Sequence, residues 1–264
     1  MDVDQLKLMA ERSVDDLVAE DDQALRAWID QAFGTSETAV IAAHGGGDVP
    51  HLSLSVDDQF GLVLEFGARL QRRSDDARVG VMTRRLFLDR HVAAHTALVV
   101  DRRFRNAGIG TALFASSLRL YDELGIERVL LMAGFDLGRW HWARLGFDFA
   151  RIESQAQVIA HARRVIDQLS LDVLVTDDAS PAEIEGLRSS SSVTLRQAAM
   201  ASDTSDRERV LIEAGKNGIG LDDAMPLGKA LLLTGPAWHG ELFVQGSGRA
   251  AADAYIAARR ETSP

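Results

Sequence analysis

A chain of 264 residues that is 46% apolar and 26% charged has the make-up of a soluble globular protein, with room for one large domain or two modest ones. Lys and Arg number 29 against 39 Asp and Glu, and the resulting formal charge of −10 disfavours a general phosphate-binding surface for nucleic acid. The lack of cysteine excludes disulfides, thiolate nucleophiles, Cys-type zinc sites and Fe–S clusters. The longest apolar stretches, Ala93–Val100 and Val129–Ala133, fall far short of a bilayer span, and Met1 is followed by Asp2 and Asp4 instead of a basic and then apolar run. The expectation is therefore a cytoplasmic protein with no membrane segment.

Helices open the chain. Leu25, Trp28, Ile29, Ala32 and Phe33 recur at helical spacing within Asp22–Phe33, with Gly34 at the stop, and Asp4–Glu20 carries a weaker version through Leu6, Met9, Leu17 and Val18. Gly45-Gly46-Gly47 breaks this texture. Three strand-like runs follow, Gly61–Leu70, Val79–Leu88 and Val92–Val100, joined by short polar connections that predict an antiparallel meander. A polar loop, Asp101–Gly110, leads into a helix holding Leu113, Phe114, Leu118, Tyr121 and Leu124, which Gly125 ends. Arg128–Met132 reads as a buried strand, Arg139–Leu145 as a short helix and Gly146–Ala150 as a further strand. The helical crossover makes Val92–Val100 and Arg128–Met132 parallel neighbours. Beyond Arg151 the pattern is mostly helical, with Ile159, Ala162, Ile166 and Leu169 on one face and breaks at Pro181, Ser189–Ser192 and Ser202–Ser205. Leu231–Leu233 and Glu241–Val244 read as strands around Gly235-Pro236.

The chemistry sits between Ala97 and Phe149. A strand feeds a loop, Arg102-Arg103-Phe104-Arg105-Asn106-Ala107-Gly108-Ile109-Gly110-Thr111, whose small residues allow close backbone approach. Unpaired amides at the start of the next helix then offer donors and the positive end of the helix dipole to an anion, most naturally a pyrophosphate. Arg102, Arg103 and Arg105 place three cations beside those amides in a chain that is acidic elsewhere. A solvated Gly- and Arg-containing turn is the plainer reading of the same residues.

Arg105-x-x-Gly108-x-Gly110 resembles the acyl-CoA-binding motif of the GCN5-related N-acetyltransferases (GNAT), and Ala143-Arg144-Leu145-Gly146-Phe147, downstream at the family's distance, is similar to its terminal signature. The resemblance includes the meander and excludes the C-terminal segment. It implies an α/β fold, a GNAT-like mixed central sheet flanked by helices. Acyl-CoA, most simply acetyl-CoA, would lie where Val92–Val100 and Arg128–Met132 part. Backbone groups of Ala97, Leu98, Val99 and Val100 would pair with the pantetheine arm. The loop Arg105, Asn106, Ala107, Gly108, Ile109, Gly110 and Thr111 would hold the pyrophosphate. An amine of a small molecule or peptide would attack the thioester directly, a route that needs no cysteine.

Counting back from Gly146, the family's thiolate-protonating tyrosine position falls on Trp142, whose indole is no acid at neutral pH. The neighbouring His141 is one candidate for that role. His95, on the strand bordering the cleft, has a side chain suited to accepting a proton near neutrality, and reads equally as a strand histidine bonded to a neighbour. Glu65 is a third candidate, with a solvated charge as its plainer reading. Trp140 and Trp142 would line an acyl or substrate pocket, or belong to the core. His44-Gly45-Gly46-Gly47 lacks a Gly-x-Ser-x-Gly partner, Gly228-Lys229-Ala230 lacks the Ser or Thr of a phosphate loop, and no metal is expected. Gly218-Ile219-Gly220 echoes the loop glycines without a strand before it, and the pairs Asp177-Asp178 and Asp222-Asp223 read as turns or helix starts.

These readings divide the chain into an acyl-CoA-binding domain, 1–150, and a helix-rich extension, 151–264, whose residues 230–244 could return a strand to the core sheet. The extension would shape the acceptor site or a homodimer interface. The expected function is acyl-CoA-dependent N-acyltransfer. The alternatives are an inactive relative of the fold that binds CoA or a partner as a sensor, and a transferase using another acyl donor.

Overall fold

The computed structural model describes residues 2–12, 19–42, 52–105, 107–134, 138–168 and 227–262. Asn106, the Gly45–Gly47 break, the predicted breaks between Pro181 and Ser205, and the motifs at 177–178, 218–220 and 222–223 lie outside them. The chain divides into two compact units. One comprises Met1–Leu131, Phe243–Arg249 and Asp253–Pro264, the other Met132–Leu242 and Ala250–Ala252.

In the first unit, α1 (Val3–Arg12) begins on a reciprocal cap: Gln5 N–H donates to Asp2 Oδ1 and Asp2 N–H to Gln5 Oε1. It buries Leu6, Met9 and Ala10; α2 (Ala19–Phe33) buries Leu25, Trp28, Ile29 and Phe33, the stripe its spacing predicts. Next come β1 (Thr38–Ala42), β2 (Ser53–Asp57), β3 (Gly61–Arg72), β4 (Arg78–Phe87) and β5 (Val92–Val100). As expected, β3, β4 and β5 form an antiparallel meander. Sequence reading missed β1 and β2, which pair antiparallel with the two halves of β3, Ala68–Arg72 and Gly61–Glu65. They act as one edge strand in two pieces.

After β5 comes α3 (Ile109–Glu123), which buries Leu113, Phe114, Leu118 and Tyr121 and stops at Gly125 in the left-handed region, φ +67°. The strand β6 (Arg128–Ala133) then pairs in parallel with β5, Val92↔Arg128 to His95↔Leu131. The sheet of this unit is thus mixed, with helices packed on it. Phe33 of α2 lies 5.0 Å from Phe66 of β3 and 6.4 Å from Tyr121 of α3.

The second unit holds α4 (Gly138–Arg144), β7 (Asp148–Phe149), α5 (Ile152–Gln168), α6 (Leu227–Thr234) and most of β8 (Trp238–Phe243). Strands β7 and β8 pair antiparallel, and Phe149 stacks edge-on against the fully buried Trp238. The strand expected at Leu231–Leu233 is helical: three consecutive leucines, all buried, suit a wholly enclosed helix as well as a buried strand. Among the described side chains of α5 the buried ones are Ser154, Val158 and the expected Ala162, while the expected Ile159 is half-buried. The last helix, α7, spans Ser247–Thr262. No helix among the described residues is long and apolar enough to cross a membrane.

Candidate functional site

Two features of the first unit create a binding edge. The first is an irregularity between β4 and β5. Thr83 faces Ala97 but Arg84 faces His95, so Thr96 is an extra residue, a bulge that bends its strand. The second is the length of the parallel ladder, which joins β5 to β6 only from Val92 to His95. From Thr96 to Val100 the strand runs on beside β4, with Thr96 and Val99 exposed and Ala97, Leu98 and Val100 half-buried. Gly80 lets β4 come close to it. A Cβ there would stand 2.2 Å from the Val99 carbonyl oxygen.

Beyond Val100 the chain makes a single 3-10 turn, Arg102–Phe104, capped by Asp101, whose carboxylate accepts the Arg103 N–H. Asp101 also pairs with the Arg103 guanidinium at 3.0 Å, and these bonds hold its carboxyl below the usual range. Arg105 turns back, its Nε donating to the Val100 carbonyl at 3.2 Å. The expected trio of cations therefore includes an acid, Asp101, and one arginine directed at β5, while Arg102 and Arg103 are exposed.

Gly108 caps α3 in the left-handed region, φ +76°, with no side-chain cap, and nothing lies within 4 Å of where a Cβ would stand. The Ala112 N–H to Gly108 carbonyl bond, 2.9 Å, opens the helical ladder. Amides preceding it in the first turn have no intrahelical acceptor and form the donor end of a helix fifteen residues long. Ile109 and Gly110 are half-buried and Thr111 is buried. Leu98, Val99, Val100, Arg105, Ala107, Gly108, Ile109, Gly110 and Thr111 thus follow one another along β5, the turn and the start of α3.

His95 lies beneath this edge, not on it. It is 5% exposed, bonded through Nε2 to the Tyr121 hydroxyl at 2.7 Å, and edge-on to Phe114. Burial, then the nearby Arg84 charge, pushes its pKa well below the ordinary imidazole value, so it is neutral. Burial likewise pushes the Tyr121 phenol up to about 12. Arg84, which sequence reading passed over, is 0% exposed; its Nη1 donates to the Thr83 carbonyl at 2.9 Å and the Ala97 carbonyl at 2.8 Å. The signal was present: alternation along β4 puts Arg84 on the face of Met82 and Leu86. Glu65 is ion-paired with Arg85 across β3 and β4.

His141, Trp140 and Trp142 belong to the second unit, and all three are half-buried on α4. Trp142 packs edge-on against Phe147 and His141, with ring centres 5.4 and 5.7 Å away. Trp140 lies under the Arg144 guanidinium at 4.7 Å and the Lys229 ammonium at 5.2 Å.

Residues 23–147 match the family model described as acetyltransferase (GNAT) family. No curated protein matches the chain. Among solved structures, the chain is similar to Tetrahymena GCN5, 19% identical over 26% of this chain and 42% of that one, with a TM-score of 0.24. It is also similar to Ard1 from Thermoplasma volcanium, 25% identical over 31% and 57%, TM-score 0.28. A third likeness is to nourseothricin acetyltransferase, 14% identical over 50% and 81%, TM-score 0.30. The chain spans less than two thirds of the length of the first two.

Proposed function

We infer, from the match of residues 23–147 to the acetyltransferase (GNAT) family model, that this protein moves an acyl group, in the first instance acetyl, from coenzyme A to the amine of a small molecule or peptide. The observation that supports the donor is the free segment of β5 followed in the chain by the Gly108-capped start of α3. Leu98, Val99 and Val100 would bond the amide groups of the pantetheine arm, as a strand bonds its neighbour. The amides from Ala107 to Thr111, with Asn106 in the same loop, would hold the pyrophosphate at the helix start. The open space at Gly108 fits a bulky anion set directly against the backbone.

In the transfer, the neutral amine nitrogen bonds to the thioester carbon and gives up one proton, the C–S bond breaks, and the departing CoA thiolate takes up a proton. His95, neutral and enclosed, is assigned a positioning role. His141 is the candidate donor to the thiolate, and Trp140 and Trp142 are candidate pocket walls. A cysteine-free chain drawing on acyl-CoA suits the cytoplasm.

Thermal shift with acetyl-CoA, longer acyl-CoAs and free CoA tests the donor, since a ligand at 100 times its Kd adds about 2.7 kcal/mol to the folded state. A rise in melting temperature that Gly108→Glu removes is the expected result; no shift with any of them ends the proposal. Thiol release with a panel of amines then separates an enzyme from a CoA-binding sensor. With turnover in hand, His141→Ala should lower kcat by about 10²-fold or more if it protonates the thiolate.

A further inference from the structure

Bulging out Thr96 disturbs the hydrogen-bond ladder, and a buried carbonyl left without a donor is costly. Arg84 meets that need from inside. Its single Nη1 bridges the carbonyl of Thr83 on β4 and that of Ala97 on β5, the two residues that face each other beside the bulge. Ala97 is also the second residue past His95, where the parallel ladder to β6 ends.

A fully buried guanidinium is an expensive way to satisfy two carbonyls. Enclosure draws its pKa down to about 10, with partial support from the Tyr121 hydroxyl. Its Nε and Nη2 make no well-formed hydrogen bond among the described residues, the Tyr121 hydroxyl giving only partial support. Two buried donors are thus poorly satisfied while the third atom grips β5. Its neighbours, neutral His95 and Tyr121, supply no counter-charge. A methionine would fill the same volume at less cost. What methionine could not do is hold Ala97.

We infer that Arg84 is a positioning residue: from the interior it clamps the Thr96 bulge through the Ala97 carbonyl and so sets the free edge Ala97–Val100 at the angle a thioester arm requires. The role of that edge rests on the acyl-CoA reading; the clamp itself does not.

The test compares the full chain with Arg84→Met and Arg84→Lys. Amide hydrogen exchange on peptides covering residues 93–101, with 62–72 as the reference, needs no ligand, and acetyl-CoA titration reads the consequence. Arg84→Met should speed exchange at 96–100 about tenfold, leave 62–72 unchanged and weaken acetyl-CoA binding about tenfold, the worth of one charge-assisted hydrogen bond. Its melting temperature should change little, because relief of an enclosed charge offsets the two carbonyls that lose their donor. Arg84→Lys, which keeps a donor, should recover part of both losses.

The inference is overturned by unchanged exchange at 96–100, by equally faster exchange in both peptides, or by altered exchange with undiminished acetyl-CoA affinity. If the unmodified chain binds no acyl-CoA at all, the donor reading falls, and the exchange comparison alone decides whether Arg84 holds the bulge.

Discussion

The 2.7 Å bond between His95 and Tyr121 is built around a neutral imidazole, and that choice has a consequence for stability. In the unfolded chain His95 would titrate near 6.5, whereas in the fold it resists protonation until far lower pH. Between those values the unfolded state binds the extra proton, so stability is full above about pH 7 and declines as pH falls through the mid-6 range, by up to about 1.4 kcal/mol per pH unit. His161, also lowered by burial and by Arg164 and Arg139, acts in the same direction. The lowered carboxyls of Asp75, Asp89 and Asp101 act only below about pH 4, so the range from pH 7 to 5 isolates the histidines. His95→Gln, which keeps a partner for the Tyr121 hydroxyl, should flatten the pH 7-to-5 dependence of the urea midpoint; an equal slope in both proteins would mean that His95 protonates freely in the fold. Period-two alternation places His95 on β5, but its depth depends on Phe114 and Tyr121 arriving from α3, which no local pattern encodes.

Between β4 and β5 the spacing is set by a glycine. A Cβ on Gly80 would meet the Val99 carbonyl oxygen at 2.2 Å and the Val100 Cα at 3.2 Å, both backbone atoms, so β5 itself would have to move. Gly80→Ala should therefore cost about 1–3 kcal/mol in chemical denaturation, the usual range for overpacking. Because the displaced segment is the proposed pantetheine edge, acetyl-CoA affinity should fall with it; a variant that keeps wild-type stability and affinity would show that the strands separate freely. The elements of this region were legible because long alternating runs and the glycines at 108, 110 and 125 mark them strongly. Strands β1 and β2 were not, since each has five residues and β2 buries Leu54 alone. Their identity comes from pairing along β3, a long-range property. The Leu231–Leu233 helix was illegible for the opposite reason: an apolar run without polar interruptions carries no period. At the binding loop, order and spacing were readable, but the Asp101–Arg103 pair and the return of Arg105 to Val100 depend on the 3-10 turn.

Residues 243–249 and 253–264 join the same compact unit as residues 1–131, so the first unit is not a continuous stretch of chain. The join is specific. Val244, fully buried, donates its N–H to the Glu127 carbonyl at 2.8 Å just before β6. Asp122 at the end of α3 accepts from Gln245 and pairs with Arg249, which also binds Asp253 one helical turn on. Within these C-terminal segments apolar burial outweighs the ion pairs: Val244, Tyr255 and Ile256 are buried, and a fully buried apolar side chain is worth about 1.5–3 kcal/mol, against about 1 kcal/mol or less for a partly exposed ion pair. Their sum, about 5 kcal/mol or more, rivals the whole stability of an ordinary domain. A fragment ending at residue 150, where sequence reading drew the domain boundary, should therefore melt well below the full chain and lose near-ultraviolet dichroism first. A peptide of residues 238–264 added in trans should restore part of the difference, while Arg249→Ala in the full chain should lower the melting temperature by only a few degrees. If the 1–150 fragment melts with the full chain, the C-terminal segments decorate a core that stands without them. If it does not, the residues that close the first unit lie across the longest intervening stretch of sequence, and the proposed acyl-CoA edge depends on both ends of the chain.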